Sequence, residues 1–398
     1  MISVVGIGAD GWAGLGEAAR AAIREADTVV GSARQLDLLP ACVAAERRCW
    51  PSPIDPLVDE LAAGLPGTVC VLASGDPMLH GIGATLARRV GPDRLAVHPH
   101  PSAFSLACAR LGWPAAETAL VSAVGRPAEG LALALAPGRR IVAYAAGAQG
   151  AARLAALVCE RGYGPSRFVV LEQLGGPAER IVESTAGAFN GTPVDPLHAV
   201  ALECRAAPGT VPLSRAPGLP DGAYDSDGQL SKRAVRAVTL AALGPRPGEL
   251  LWDVGAGSGS IAIEWLRVEP SARAVAIEPD PSRAARIAVN ASRLGVPALE
   301  VREGRAPAAL EGLEAPGAIF IGGGLTADGV LDRCWAALRP GGRLVANAVT
   351  LEGERALQAA RAARGGDLLR LAVSHAEPLG SFEAWRPQLP VVQWSAVR

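Results

Sequence analysis

The chain has 398 residues, more than one ordinary hydrophobic core accommodates, so two domains are expected. Hydrophobic residues make up 49% of it and charged residues only 19%, which excludes a disordered or fibrous protein. The net charge of −1 leaves no bulk basicity for nucleic acid, and Lys232 is the single lysine among the basic residues.

In chain order, residues 2–6 open as a strand, with no basic and apolar leader ahead of them, so a cytoplasmic protein is expected. No apolar run reaches the roughly 18–20 residues that span a bilayer, and no membrane partner is expected. Through residue 205, apolar runs at 3–7, 68–73, 140–144 and 167–171 alternate with Ala-rich stretches of helical period, the pattern of an α/β domain. Runs at 181–184 and 197–202 add antiparallel strands. Residues 206–226 hold too much Pro and Gly for either regular element and read as a linker.

Beyond it, Ser231 is placed to cap a helix that carries Val235, Val238 and Leu243 and stops at Gly244-Pro245. A strand at 249–254, a helix at 260–268, a strand at 272–277 and a helix at 282–294 follow. Strands at 299–302, 318–321 and 343–348, with helices between, complete the pattern of a doubly wound parallel sheet. Strands at 368–375 and 391–396 close it. The expected domains are therefore 1–205 and 227–398. The seven cysteines are scattered without a Cys-x-x-Cys pair and read as buried free thiols. His98 and His100 share one face of a strand but have no third ligand, so no metal is expected.

Trp252-Asp253-Val254-Gly255-Ala256-Gly257-Ser258-Gly259 sets three alternate glycines between a buried strand and a helix, where backbone approaches a ligand closely. A dinucleotide turn wants Gly-x-Gly-x-x-Gly, and here Ser260 stands where that pattern has its third glycine, which disfavours NAD. Glu278 ends the next strand, where a carboxylate accepts hydrogen bonds from ribose hydroxyls. These residues resemble the class I S-adenosylmethionine (SAM) methyltransferases over 228–398. The run Asp227-Gly228-Gln229-Leu230-Ser231-Lys232-Arg233-Ala234-Val235-Arg236 is similar to the leading segment of the decarboxylating precorrin methyltransferases. The resemblance implies that Ser231 contacts the cofactor, that Gly255, Ala256, Gly257, Ser258 and Gly259 wrap its methionine and ribose portions, that Glu278 holds the ribose and that Ala306 borders the adenine. Arg305 stands where that family usually has Asp. Gly322 and Gly323, in Phe320-Ile321-Gly322-Gly323-Gly324, are implied beside the reacting methyl group.

In the first half, Ser74-Gly75-Asp76-Pro77-Met78-Leu79-His80-Gly81 follows a strand, and Pro101-Ser102-Ala103-Phe104-Ser105 opens a helix with Ser102 or Ser105 free to hydrogen-bond. These segments resemble the tetrapyrrole methylases over about 1–205. The resemblance implies a two-lobed α/β domain with Gly75, Asp76, Leu79, Ser102 and Ala103 lining a cofactor cleft, and with Ala201 and Leu202 closing its adenine side. His80 and Asp10 are candidates to face the substrate.

The two resemblances together imply a two-lobed tetrapyrrole methylase domain followed by a Rossmann-like class I methyltransferase domain, with two SAM sites per chain. They imply methylation of a precorrin macrocycle at C5 and C15, with decarboxylation of its C12 acetate, from precorrin-6B to precorrin-8X in cobalamin biosynthesis. A tetrapyrrole carries several carboxylates, so arginines at the cleft rims are expected to anchor it, Arg236 and Arg386 being the candidates. A homo-oligomer is expected, and no catalytic acid or base is identified. The competing readings are a class I RNA or protein methyltransferase fused to an unrelated domain, and a SAM-binding module without turnover. The first would carry a nucleic-acid-binding surface or module, which is not evident.

Overall fold

A computed structural model describes all 398 residues. The chain divides into two compact units: Met1–Ala128 with Ala134–Thr210, and Val211–Arg398 with Glu129–Leu133. No helix is long and apolar enough to cross a membrane.

The first unit begins β1 (Ile2–Ile7), α1 (Gly11–Gly14), α2 (Glu17–Arg24), β2 (Thr28–Gly31), α3 (Ala33–Asp37), β3 (Glu46–Cys49), α4 (Asp55–Ala63), β4 (Val69–Ser74), α5 (Ile82–Val90) and β5 (Leu95–His98). These strands form one parallel sheet in the order β3-β2-β4-β1-β5. β1 and β4 lie inside it and read as continuous apolar runs because both faces are covered. After α6 (Ala103–Leu111) come β6 (Thr118–Ser122), β7 (Arg140–Tyr144), α7 (Gly150–Glu160), β8 (Arg167–Glu172), β9 (Arg180–Thr185) and β10 (His198–Glu203). They make a second sheet, β6-β7-β10-β8-β9, antiparallel except at β6/β7. This is the expected two-lobed α/β architecture. His100 lies beyond the end of β5, so it does not share a strand face with His98.

The second unit carries α8 (Arg233–Leu243), β11 (Leu250–Val254), α9 (Ser260–Val268), β12 (Arg273–Glu278), α10 (Pro281–Arg293), β13 (Glu300–Glu303), β14 (Ala318–Ile321), α11 (Val330–Ala337), β15 (Arg343–Ala348), α12 (Leu351–Arg364), β16 (Asp367–Leu371), β17 (Ser374–Leu379), β18 (Phe382–Pro387) and β19 (Val391–Val397). Its sheet runs β13-β12-β11-β14-β15-β19-β16. The first five strands are parallel and the last two pairings antiparallel. Order reverses on either side of β11, which creates the crevice at the strand ends where open α/β sheets bind ligands. β17 and β18 pair only with each other. The strand expected over 368–375 is thus two elements, β16 and the start of a hairpin.

Three further expectations need correction. Lys232, not Ser231, is the N-cap residue of α8, and no side chain caps that end. Residues from Val211 onward belong to the second unit instead of linking two domains. Leu219 and Tyr224 are buried in its core, and Glu264 on α9 accepts from the Gly218 and Leu219 N–H groups at 2.6 and 3.0 Å. Of the seven free cysteines, only Cys70, Cys108, Cys204 and Cys334 are buried, whereas Cys42, Cys49 and Cys159 are exposed.

Candidate functional site

In the second unit, a cavity of about 670 Å³ opens at the crevice beside β11. Gly255 turns the chain at φ +70°, and a Cβ on it would lie 2.6 Å from Gly323 N and Cα. Only a residue without a side chain lets the loops after β11 and β14 touch there. Glu278, buried at the end of β12, accepts from the Gly257 N–H at 2.7 Å and the Asp280 N–H at 3.2 Å. Its carboxylate thereby ties the glycine turn to the neighbouring strand. Asp253, on β11, accepts from the Ala262 N–H at 3.0 Å through Oδ2, while its buried Oδ1 has no partner. Burial is the main cause that pushes its carboxyl up to about 7, with the nearby Glu278 charge adding to it.

The structure brings together in this one cavity Ser231, Gly255, Ala256, Gly257, Ser258, Glu278, Ala306, Gly322 and Gly323. Gly259 lies just behind the turn, packed against Ile287. Arg236 is different. Its side chain has 0% exposure, bonds Glu264 at 2.5 Å and Asp221 at 3.2 Å, donates to the carbonyls of Leu219 and Ser231, and lies over the Tyr224 ring. No carboxylate of a substrate reaches it, so its assignment as a substrate anchor is corrected to an internal ion pair. Arg386 stands exposed on β18, paired with Glu377 at 2.9 Å. Lys232, Arg305, Asn347 and Gln388 also line the cavity. Sequence reasoning gave none of them a role, although the isolation of Lys232 as the only lysine was a visible signal.

In the first unit, the ends of β1 and β4 meet the start of α6. A Cβ on Gly6 would fall 2.0 Å from Gly75 O, and one on Gly75 would fall 3.1 Å from Ser102 Cα. Gly75 itself turns at φ +60°. Asp76 Oδ1 accepts from the Met78 N–H at 2.8 Å, so its carboxylate holds the turn that carries half-buried Leu79. Ser102 and Ser105 are not free: the Ser102 hydroxyl caps α6 by accepting from the Ser105 N–H, and the two hydroxyls share a 3.0 Å bond. Ala103 begins that helix. His80 sets its ring edge-on to Tyr144, whose hydroxyl accepts from the Phe104 N–H at 3.1 Å. Asp10 Oδ1 lies 3.2 Å from His100 Nε2. Ala201 and Leu202 are fully buried in β10, between β7 and β8, and Ala201 shares one apolar cluster with Ala103, Phe104 and Tyr144 of this group.

The crevice and glycine turn of the second unit, and the converging loops of the first, define a chain of two methyltransferase folds. Residues 1–190 match the family described as Tetrapyrrole (Corrin/Porphyrin) Methylases, and residues 222–398 the one described as Precorrin methyltransferase domain. A Precorrin-6Y C(5,15)-methyltransferase [decarboxylating] from Sinorhizobium sp is 47% identical over 394 residues, 99% of this chain and 95% of that one. The chain belongs to the family of decarboxylating precorrin-6Y C5,15-methyltransferases, enzymes that use SAM. Shorter relatives from Salmonella typhimurium carry the two activities under separate names. A Cobalt-precorrin-6B C(15)-methyltransferase (decarboxylating) is 34% identical over 168 residues, 41% of this chain and 85% of that one. A Cobalt-precorrin-7 C(5)-methyltransferase is 34% identical over 191 residues, 48% of this chain and 93% of that one.

Proposed function

We propose that this chain methylates a precorrin macrocycle at C5 and C15 and decarboxylates its C12 acetate, with one SAM site in each unit. The observation that carries this reading is the presence of two complete methyltransferase folds in one chain that aligns along nearly its whole length with bifunctional relatives. The cavity of the second unit fits the cofactor: it offers a side-chain-free cradle at Gly255 and Gly257 and a buried carboxylate at Glu278 for ribose hydroxyls. Ser231, Ala256, Ser258 and Ala306 complete that end. In the first unit, Gly75, Asp76, Leu79, Ser102 and Ala103 are the proposed cofactor residues.

When bound, SAM supplies an activated methyl group, so the protein's own task is to hold a macrocycle carbon in line and exclude water. The conjugated ring is itself an electron sink for decarboxylation. Gly322 and Gly323 leave room for the ring beside the methyl-transfer point, and Arg386, on the β17–β18 hairpin outside the cavity lining, is the proposed guanidinium partner of a carboxylate. We assign the C15 methylation and the decarboxylation to the second unit and the C5 methylation to the first. A homo-oligomer is proposed, with the β17–β18 hairpin as its contact, since Phe382 and Trp385 stand 77% and 74% exposed there.

Titration of the full chain with SAM should return two sites, and Gly257→Asp should remove one of them. With precorrin-6B as substrate, Glu278→Ala removes charge-assisted hydrogen bonds worth on the order of 1.5–3 kcal/mol each. It should suppress C15 methylation. A fragment spanning 211–398 that, given the macrocycle and SAM, methylates without releasing carbon dioxide would break the assignment of both steps to one unit.

A further inference from the structure

Asn347, at the end of β15, faces Gln393 across the β15/β19 ladder, and Thr239 reaches the same point from α8. The Thr239 hydroxyl donates its proton to the Val235 carbonyl at 2.8 Å, so its oxygen is left only as an acceptor. It accepts from Asn347 Nδ2 at 2.9 Å and from Gln393 Nε2 at 3.0 Å. The second N–H of Gln393 goes to Asn347 Oδ1 at 2.9 Å. These bonds determine which way each amide faces, because a flipped Asn347 would set its carbonyl against an oxygen with no proton to give. Thr239 and Gln393 are buried, and their side-chain donors are all engaged. Asn347 alone lines the cavity, and one of its two N–H donors has no protein acceptor.

Gly323, Gly324, Val349, Leu389 and Val391 line the same cavity, as do the polar Lys232 and Gln388. The ribose carboxylate Glu278 and the glycine turn lie instead at the ends of β12 and β11. A half-buried, oriented N–H there suits an anionic oxygen and offers nothing to a cation. We infer that Asn347 is a substrate-binding residue that donates its free amide N–H to a carboxylate retained on the macrocycle, with Thr239 and Gln393 as the positioning residues that keep the donor facing the cavity. The inference rests on the macrocycle reading above.

The test uses the full chain, with precorrin-6B turnover read by product mass and carbon dioxide release, and SAM affinity read by calorimetry. Loss of one hydrogen bond to a charged group should raise the KM of Asn347→Ala for the macrocycle about 10- to 100-fold. Asn347→Asp should raise it further, because a negative charge replaces the donor. SAM affinity should stay unchanged in both. Thr239→Val should raise KM in the same direction by releasing the Asn347 amide, whereas Thr239→Ser should restore the wild-type value. An active wild type with an unaltered KM in Asn347→Ala and Asn347→Asp overturns the inference alone. A wild-type chain that binds SAM but neither methylates nor decarboxylates overturns the macrocycle reading as well. If Asn347→Ala does not fold, the Thr239→Val and Thr239→Ser pair decides: equal KM values overturn the inference.

Discussion

Arg236 and Glu264 meet at 2.5 Å with almost no water around either side chain. Glu264 also accepts from the Tyr224 hydroxyl at 2.8 Å, so a single carboxylate organises the segment that leads into α8. Removing one member of such a pair leaves a buried charge and costs about 3–5 kcal/mol. Arg236→Ala should therefore lower the unfolding free energy of the second unit, read from denaturant unfolding, by that amount; a change in macrocycle KM at unaltered stability would return Arg236 to the substrate. Asp253 gives the opposite dependence on conditions. Its carboxyl is raised from 3.8 to about 7 by burial, so the folded state holds a proton that the unfolded state releases. Its contribution is full below about pH 4, falls as pH rises to about 7, and is lost above that, with an upper bound of roughly 4 kcal/mol. The stability of Asp253→Asn minus that of the wild type should grow between pH 5 and 8, as measured by urea denaturation at each pH. A constant difference would mean that Asp253 is ionised throughout.

At the scale of elements, the segment from Val211 to Tyr224 behaves as a strap on α9. Arg215 donates to the carbonyls of Arg267 and Val268 at 2.8 and 3.0 Å, and Arg267 donates back to Ser214 O at 3.1 Å. A fragment spanning 211–398 should thus unfold at a clearly higher urea concentration than one spanning 223–398, which leaves Glu264 without the Gly218 and Leu219 donors. Equal midpoints would make the strap a passive tail. The strap's composition explains why it was read as a linker: Pro and Gly report the absence of a helix or strand, not the absence of packing. Parallel strands such as β11 and β12 were legible because burial on both faces writes a continuous apolar run. β3 is Glu-Arg-Arg-Cys, and β17 and β18 are almost wholly exposed, so neither carries an alternating pattern. The glycine turn and Glu278 were legible because backbone approach and a strand-end carboxylate depend on local sequence. Arg236 was misjudged because burial is a tertiary property. Asn347 carried no signal, since its partners lie 108 and 46 residues away.

For the whole molecule, the uneven placement of the cysteines makes the two units distinguishable to a thiol reagent. Cys42, Cys49 and Cys159 are exposed and all lie in the first unit, while the second contains a single cysteine, Cys334, buried on α11. Burial pushes the Cys334 thiol up to about 12, which removes the reactive thiolate at neutral pH. The native chain should react quickly at three positions, and Cys334 only when the second unit opens. Its slow modification, followed by mass spectrometry at increasing urea, then counts openings of that unit without interference from the other. The chain thus carries an intrinsic clock for one half of itself, wound by burial and read by alkylation.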